Sequence, residues 1–219
     1  MKIGILGGTF NPVHFGHLHI AEEVFAACGL DQVWFVPTCQ PPHKSLAEKV
    51  DFSQRLAMVE AAIEGVDHYR ACDLEGRRGG TSYSVTTLEL LREKHPGDSF
   101  YFIMGLDSFC DIGSWKAYAR LFELAHIIVT ARPGFSGDPR DLLPVAIADQ
   151  FCYDADAKKL LHDAGFSVVF VSHTSCDISS TSVRQAVANG ESIDGLVPAK
   201  VIDYIAHHRL YAATRSPAE

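Results

Sequence analysis

The opening stretch Met1–Pro37 constrains the fold more than any other part of the chain. Lys2–Leu6 is a short apolar run stopped by Gly7-Gly8, and Asn11-Pro12 then marks a loop. From about His17 to Cys28, Leu18, Ala21, Val24 and Phe25 recur at helical spacing, with Gly29 placed as a C-cap. Val33–Val36 follows as a buried-type strand that halts at Pro37. Strand, glycine turn, helix, strand is how a parallel sheet begins, because parallel neighbours need a crossover between them.

The alternation continues. Helices are expected over Phe52–Ile63 (Leu56, Val59 and Ile63 on one stripe), Tyr83–Lys94, Trp115–Leu124, Ala157–Ala164, Thr181–Ala188 and Ala199–His207. Strands are expected over His68–Cys72, Phe100–Met104, His126–Thr130 and Ser167–Val171, while 135–152 has no regular pattern. This predicts an α/β fold: a single doubly wound, Rossmann-like domain over 1–211 with a mainly parallel sheet, helices on both faces, and a frayed tail at 212–219. Ligands of such sheets sit beyond the C-terminal strand ends, near the point where strand order reverses.

Composition narrows the function. The 219 residues are 47% hydrophobic and 21% charged, as in an ordinary globular protein, and no run approaches the roughly 18 apolar residues of a membrane span. The N-terminus reads directly as structure rather than as a signal peptide, so a cytoplasmic location is expected. Six scattered cysteines without a C-x-x-C pair point to free thiols. A formal charge of −8 argues against nucleic acid as a partner but leaves room for a small anionic substrate.

The loop after the first strand carries the chemistry. Gly7 and Gly8 let the backbone turn and approach a ligand closely, and His14 and His17 flank Gly16 at a helix start whose unpaired N–H groups and partial positive charge suit phosphate oxygens. Two imidazoles aimed at one spot could donate hydrogen bonds that strengthen as charge builds on a bridging oxygen. The Gly-Gly turn alone is weak evidence; it is neither the dinucleotide fingerprint nor a P-loop. A zinc site on His14, His17 and His19 is the competing reading, with no nearby Asp, Glu or Cys to complete it and His19 on another helix face.

The run Gly7-Gly8-Thr9-Phe10-Asn11-Pro12-Val13-His14-Phe15-Gly16-His17 resembles the motif of the nucleotidyltransferases that carry H-x-G-H, and the later motifs resemble their bacterial nicotinate-nucleotide adenylyltransferase branch. The resemblance runs from Met1 to about Tyr211. A second phosphate motif, Ile178-Ser179-Ser180-Thr181-Ser182-Val183-Arg184, opens a helix after the last strand. By itself it reads as an ordinary capped helix with a solvated Arg; coupled with the first loop it makes a clamp on both ends of a triphosphate. The family's I-S-S-T-x-x-R motif matches it in full, which implies nucleotide binding by Gly7, Gly8, Thr9, Phe10, His14, His17, Ile178, Ser179, Ser180, Thr181 and Arg184. Gly105 and Asp107 match the family's G-x-D-S turn and are assigned to the nucleotide too, although an Asp there could simply cap the next helix.

Four further segments read as the acceptor side. Lys44 ends a stiff loop after the second strand, Thr81, Tyr83 and Ser84 open a helix, Trp115 could stack on a ring, and Arg132 lies just past a strand end. The bland alternatives are a solvated Lys, a plain N-cap and a core Trp. The resemblance implies that Lys44, Tyr83, Ser84, Trp115 and Arg132 hold a pyridine mononucleotide. Lys116 departs from the family pattern, which has an aromatic residue there in a backbone contact.

The implied reaction transfers the AMP part of ATP to nicotinate mononucleotide, with His14, His17 and Arg184 catalytic, Mg²⁺ accompanying ATP and pyrophosphate leaving. A related adenylyltransferase acting on nicotinamide mononucleotide or phosphopantetheine, a non-catalytic nucleotide sensor and a zinc hydrolase are the alternatives. The sequence leaves open whether the chain forms a homo-oligomer.

Overall fold

The computed structural model describes residues 1–41, 50–131, 138–172, 174 and 176–212. Its elements run β1 (Lys2–Gly8), α1 (Phe15–Cys28), β2 (Gln32–Pro37), α2 (Phe52–Ile63), β3 (Tyr69–Ala71), α3 (Leu74–Arg78), α4 (Ser84–Lys94), β4 (Ser99–Gly105) and α5 (Leu106–Cys110). After these come α6 (Tyr118–Leu121), β5 (His126–Ala131), β6 (Phe151–Asp154), β7 (Lys159–His162), β8 (Ser167–Ser172), α7 (Ser180–Asn189) and α8 (Ala199–His207). Among the described residues the strands form one sheet in the order β3-β2-β1-β4-β5-β8-β7-β6. The pairings from β3 through β8 are parallel, whereas β7 runs antiparallel to both β8 and β6.

Alternating side chains explain why both faces are covered. Along β2, Trp34 and Val36 enter one core and Val33 and Phe35 the other; along β5, Ile127 and Val129 oppose Ile128 in the same way. The first core is roofed by residues of α4 to α6 such as Leu88, Phe109 and Leu121, the second by α1, α2, α7 and α8 through Val24, Met58, Val183 and Val201. The expected doubly wound architecture is therefore present. β1 pairs with β2 on one side and β4 on the other, so strand order reverses beside the C-terminal end of β1, where Gly7 and Gly8 lie.

Two expected helices are corrected. Trp115–Leu124 holds only the single turn α6: Trp115 is extended and Ala117 adopts a left-handed conformation (φ 49°, ψ 41°) that interrupts any helix through it. Ala157–Ala164 is not helical either; Lys159–His162 is β7, with Leu160 and His162 buried between less buried neighbours. Its composition suits a helix, but pairing with β8 (Leu160 opposite Val168) and β6 overrides that local preference. The unpatterned region ends in β6, and the short helices α3 and α5 were also unforeseen.

Candidate active site

Gly8 closes β1 because its neighbour demands it. A Cβ on Gly8 would sit 3.1 Å from the Phe10 ring, which is buried and packs edge-on against His17 at 5.0 Å. Phe10 thus braces the loop from inside the core, and only its backbone can reach a nucleotide. His14 is the N-cap of α1, and its N–H donates to Nδ1 of His17 at 3.2 Å. A neutral imidazole that accepts at Nδ1 carries its proton on Nε2, leaving that N–H as the donor of His17. The two rings lie 3.7 Å apart between centroids.

Burial depresses both imidazoles, His14 to about 4 and His17 to about 3, the latter lowered further by the like charge of His14. Both are neutral near pH 7, and each ring then offers one N–H donor. Nδ1 of His14 is buried without a hydrogen-bond partner among the described residues, an arrangement that native interiors rarely tolerate away from a ligand. Gly16 between them is required by space: a Cβ there would meet the His14 ring at 3.0 Å and the carbonyl of Ile178 at 3.5 Å.

The nearness of the Ile178 carbonyl to Gly16 already brings the second motif beside the first. Ser179 caps α7, its Oγ accepting from the Ser182 N–H at 3.0 Å, while the Ser180 hydroxyl donates to the Pro12 carbonyl at 2.8 Å. Arg184 donates to the carbonyl of Asn11 at 2.9 Å and to the Thr181 hydroxyl at 3.3 Å. The starts of α1 and α7, more than 160 residues apart in sequence, are stitched side by side. Ser180 spends its hydroxyl on this stitching and Ser179 on capping α7, so a ligand would meet the first free amides of α7 and the exposed Thr181.

Beside the loop opens a cleft of about 280 Å³, lined by Gly7, Gly8 and Thr9 as well as Tyr83, Ser84, Trp115 and Lys116. Tyr83 caps α4 and Ser84 is its first residue. The half-buried Trp115 rests edge-on against Phe102, which belongs to the apolar floor with Ile5 and Val36. Thr81 does not line the cleft; its carbonyl accepts from Arg78 at 2.7 Å. Gly105 and Asp107 are exposed where β4 passes into α5, beyond the cleft lining. Lys44 and Arg132 lie outside the described residues.

Two buried charges missing from the sequence reading hold this arrangement. Arg55 is fully buried and donates to the carbonyls of Thr9 (2.7 Å), Thr38 (2.7 Å) and Cys39 (3.3 Å). Glu75, also buried, accepts from the Cys39 N–H at 3.1 Å, from Thr87 at 2.6 Å and from the Ser82 hydroxyl. Together they tie the chain after β2 to the loop after β1 on one side and to the start of α4 on the other. Arg55 had a readable signal, since it shares the core face of α2 with Met58, Val59 and Ile63; Glu75 sits in a charged run that looks like a solvated loop.

Comparison with known proteins fits this geometry. Residues 5–186 match the cytidylyltransferase-like family model. A "Probable nicotinate-nucleotide adenylyltransferase" of Syntrophotalea carbinolica is 54% identical over 212 residues, 96% of this chain and 97% of that protein. A protein of the same name from Geotalea daltonii is 52% identical, covering 96% and 98%. Among solved structures, Plasmodium falciparum nicotinic acid mononucleotide adenylyltransferase complexed with NaAD superposes with a TM-score of 0.71 at 22% identity over 96% of this chain and 97% of that one, a likeness of fold.

Proposed function

This chain belongs to the nicotinate-nucleotide adenylyltransferases of the cytidylyltransferase-like family, and from that premise we propose that it joins the adenylyl group of ATP to nicotinate mononucleotide, releasing pyrophosphate and giving nicotinate adenine dinucleotide. The observation that carries the reading is the side-by-side placement of the α1 and α7 starts, with His14, His17 and Arg184 gathered there. Relatives at 52–54% identity bear the corresponding name.

In this reading an oxygen of the acceptor phosphate attacks the α-phosphorus of ATP in line. The new O–P bond forms as the bond to the bridging α,β-oxygen breaks, and pyrophosphate departs with that electron pair. An ionised phosphate is already nucleophilic, so no general base is needed, and catalysis rests on alignment and charge stabilisation. His17 donates from Nε2 and His14 from its ring N–H to the phosphate oxygens, while Arg184, Thr181 and the first amides of α7 hold the leaving phosphates. Incoming phosphate charge favours protonation of both imidazoles, strengthening the contact as pyrophosphate develops. The adenosine is assigned to the end of β4 at Gly105 and Asp107, and the acceptor to the cleft of Tyr83, Ser84 and Trp115, with Lys44 and Arg132 as its further ligands.

The donors around the helix starts are imidazoles, hydroxyls and a guanidinium, and no group of three or more His, Cys, Asp or Glu among the described residues could hold a metal. Mg²⁺ therefore fits this site as the ion that the triphosphate carries on its own oxygens and waters, where it shares their charge. The proposal treats residues 1–211 as one catalytic unit in the cytoplasm, a setting in keeping with six unpaired cysteines. No helix among the described residues is long and apolar enough to cross a membrane. Incubation with ATP and nicotinate mononucleotide tests the reading: stoichiometric dinucleotide and pyrophosphate are expected. Absence of both, or product only with phosphopantetheine, overturns it.

A further inference from the structure

Of the described residues lining the cleft, only Glu75 and Lys116 carry charge. The Glu75 carboxylate is buried and already engaged by Ser82, Thr87 and the Cys39 N–H. Lys116 is exposed, and its ammonium stands 4.2 Å from the centre of the Tyr83 ring with no carboxylate partner among the described residues. It is thus the one cation that the described cleft can offer to an incoming anion.

The local backbone keeps it there. Tyr118 N–H donates to the Trp115 carbonyl at 3.2 Å, closing a turn that puts Lys116 next to Trp115 on the cleft wall. Ala117 completes the turn at φ 49°, a conformation that costs a residue with a Cβ and that persists where surrounding structure imposes it. A continued helix through Trp115 would have placed the two side chains about 100° apart around its axis.

We propose that Lys116 is a specificity residue: its ammonium pairs with a carboxylate on the ring of the acceptor and so favours the carboxylate-bearing mononucleotide over its carboxamide. The inference rests on the adenylyl-transfer reading above. An exposed ammonium on an aromatic face is weakly held, whereas a carboxylate gives it a charge-assisted hydrogen bond. The flexible stem of lysine allows the move once a pyridine ring takes the space against Tyr83 and Trp115. A carboxamide has no charge to return, so the preference is electrostatic.

The test measures kcat/KM for nicotinate and nicotinamide mononucleotides, at fixed ATP, in the wild type, K116Q and K116R. In K116Q the nicotinate-to-nicotinamide ratio should fall by about tenfold, the scale of one partly exposed charged hydrogen bond. The loss should appear in KM for nicotinate mononucleotide, and K116R should restore most of it. An unchanged ratio in K116Q overturns the inference; so does an equal loss for both acceptors, which would assign Lys116 to their shared phosphate. A wild type inactive with both mononucleotides overturns the proposed function and this inference with it, whereas an active wild type with an unmoved ratio overturns this inference alone.

Discussion

The side of the site assigned to phosphate and the cleft assigned to the acceptor hold their residues in different ways. On the phosphate side, two short contiguous motifs do nearly everything: His14, Gly16 and His17 start one helix, Ser179 to Arg184 start another, and direct hydrogen bonds from Ser180 and Arg184 join them. The cleft assigned to the acceptor instead collects Tyr83 from one segment and the adjacent Trp115 and Lys116 from another, and depends on Arg55 and Glu75, neither of which stands in a motif of the sequence. The first is set mainly by local spacing; the second is held by buried charges acting at long range, one of which, Arg55, also braces Thr9 in the first loop. Damage should accordingly fall on turnover in the one and on acceptor affinity or stability in the other.

The sharpest way to break that contrast is His17→Ala. It removes the Nε2 donor assigned to the reacting phosphates, and kcat should drop by about a hundredfold or more, the scale for one such donor. Pyrophosphate release at saturating substrates reads the effect; near-normal turnover would take His17 out of catalysis.

Next comes Arg55→Met, which leaves the carbonyls of Thr9 and Thr38 without their buried donor. Unfolding free energy should fall by about 2 kcal/mol, the cost of buried acceptors losing a charged partner. Denaturant titration measures it, and an unchanged midpoint with unchanged slope would show that the brace is dispensable.

Trp115→Ala should raise KM for the mononucleotide about tenfold while leaving KM for ATP alone, as expected for the loss of one stacking partner. Equal changes in both constants would mean that the two sides are not separable in this way.

The smallest effect near neutrality is on pH dependence. Both imidazoles are depressed in the folded state, so below the ordinary histidine pKa the unfolded chain binds more protons than the folded one. Stability should be full above about pH 6.5 and decline as pH falls toward 4. His17→Asn should make that decline shallower, read from thermal midpoints across the same range; a slope identical to wild type would show that His17 is not the group responsible.

Much of the fold was legible because its signals are local. Glycine at the end of β1, Gly29 after α1, the apolar stripe of α2 and the serine start of α7 each follow from the conformational or hydrogen-bonding needs of a few adjacent residues. β7 was misread as helix because its preference for a strand comes from β6 and β8, not from its own residues. Trp115–Leu124 failed in a similar way, through a left-handed Ala117 that no residue type announces.

What the sequence determined by itself is the pair of helix starts, since a helix N-terminus after a strand presents free amides whatever surrounds it. What only the tertiary structure decided is which distant side chains face them. Burial lowers the basicity of His14 and His17, Arg55 and Glu75 find partners far along the chain, and Lys116 comes to stand over Tyr83. Desolvation and long-range hydrogen bonding depend on neighbours in space, and those neighbours exist only once the sheet has assembled.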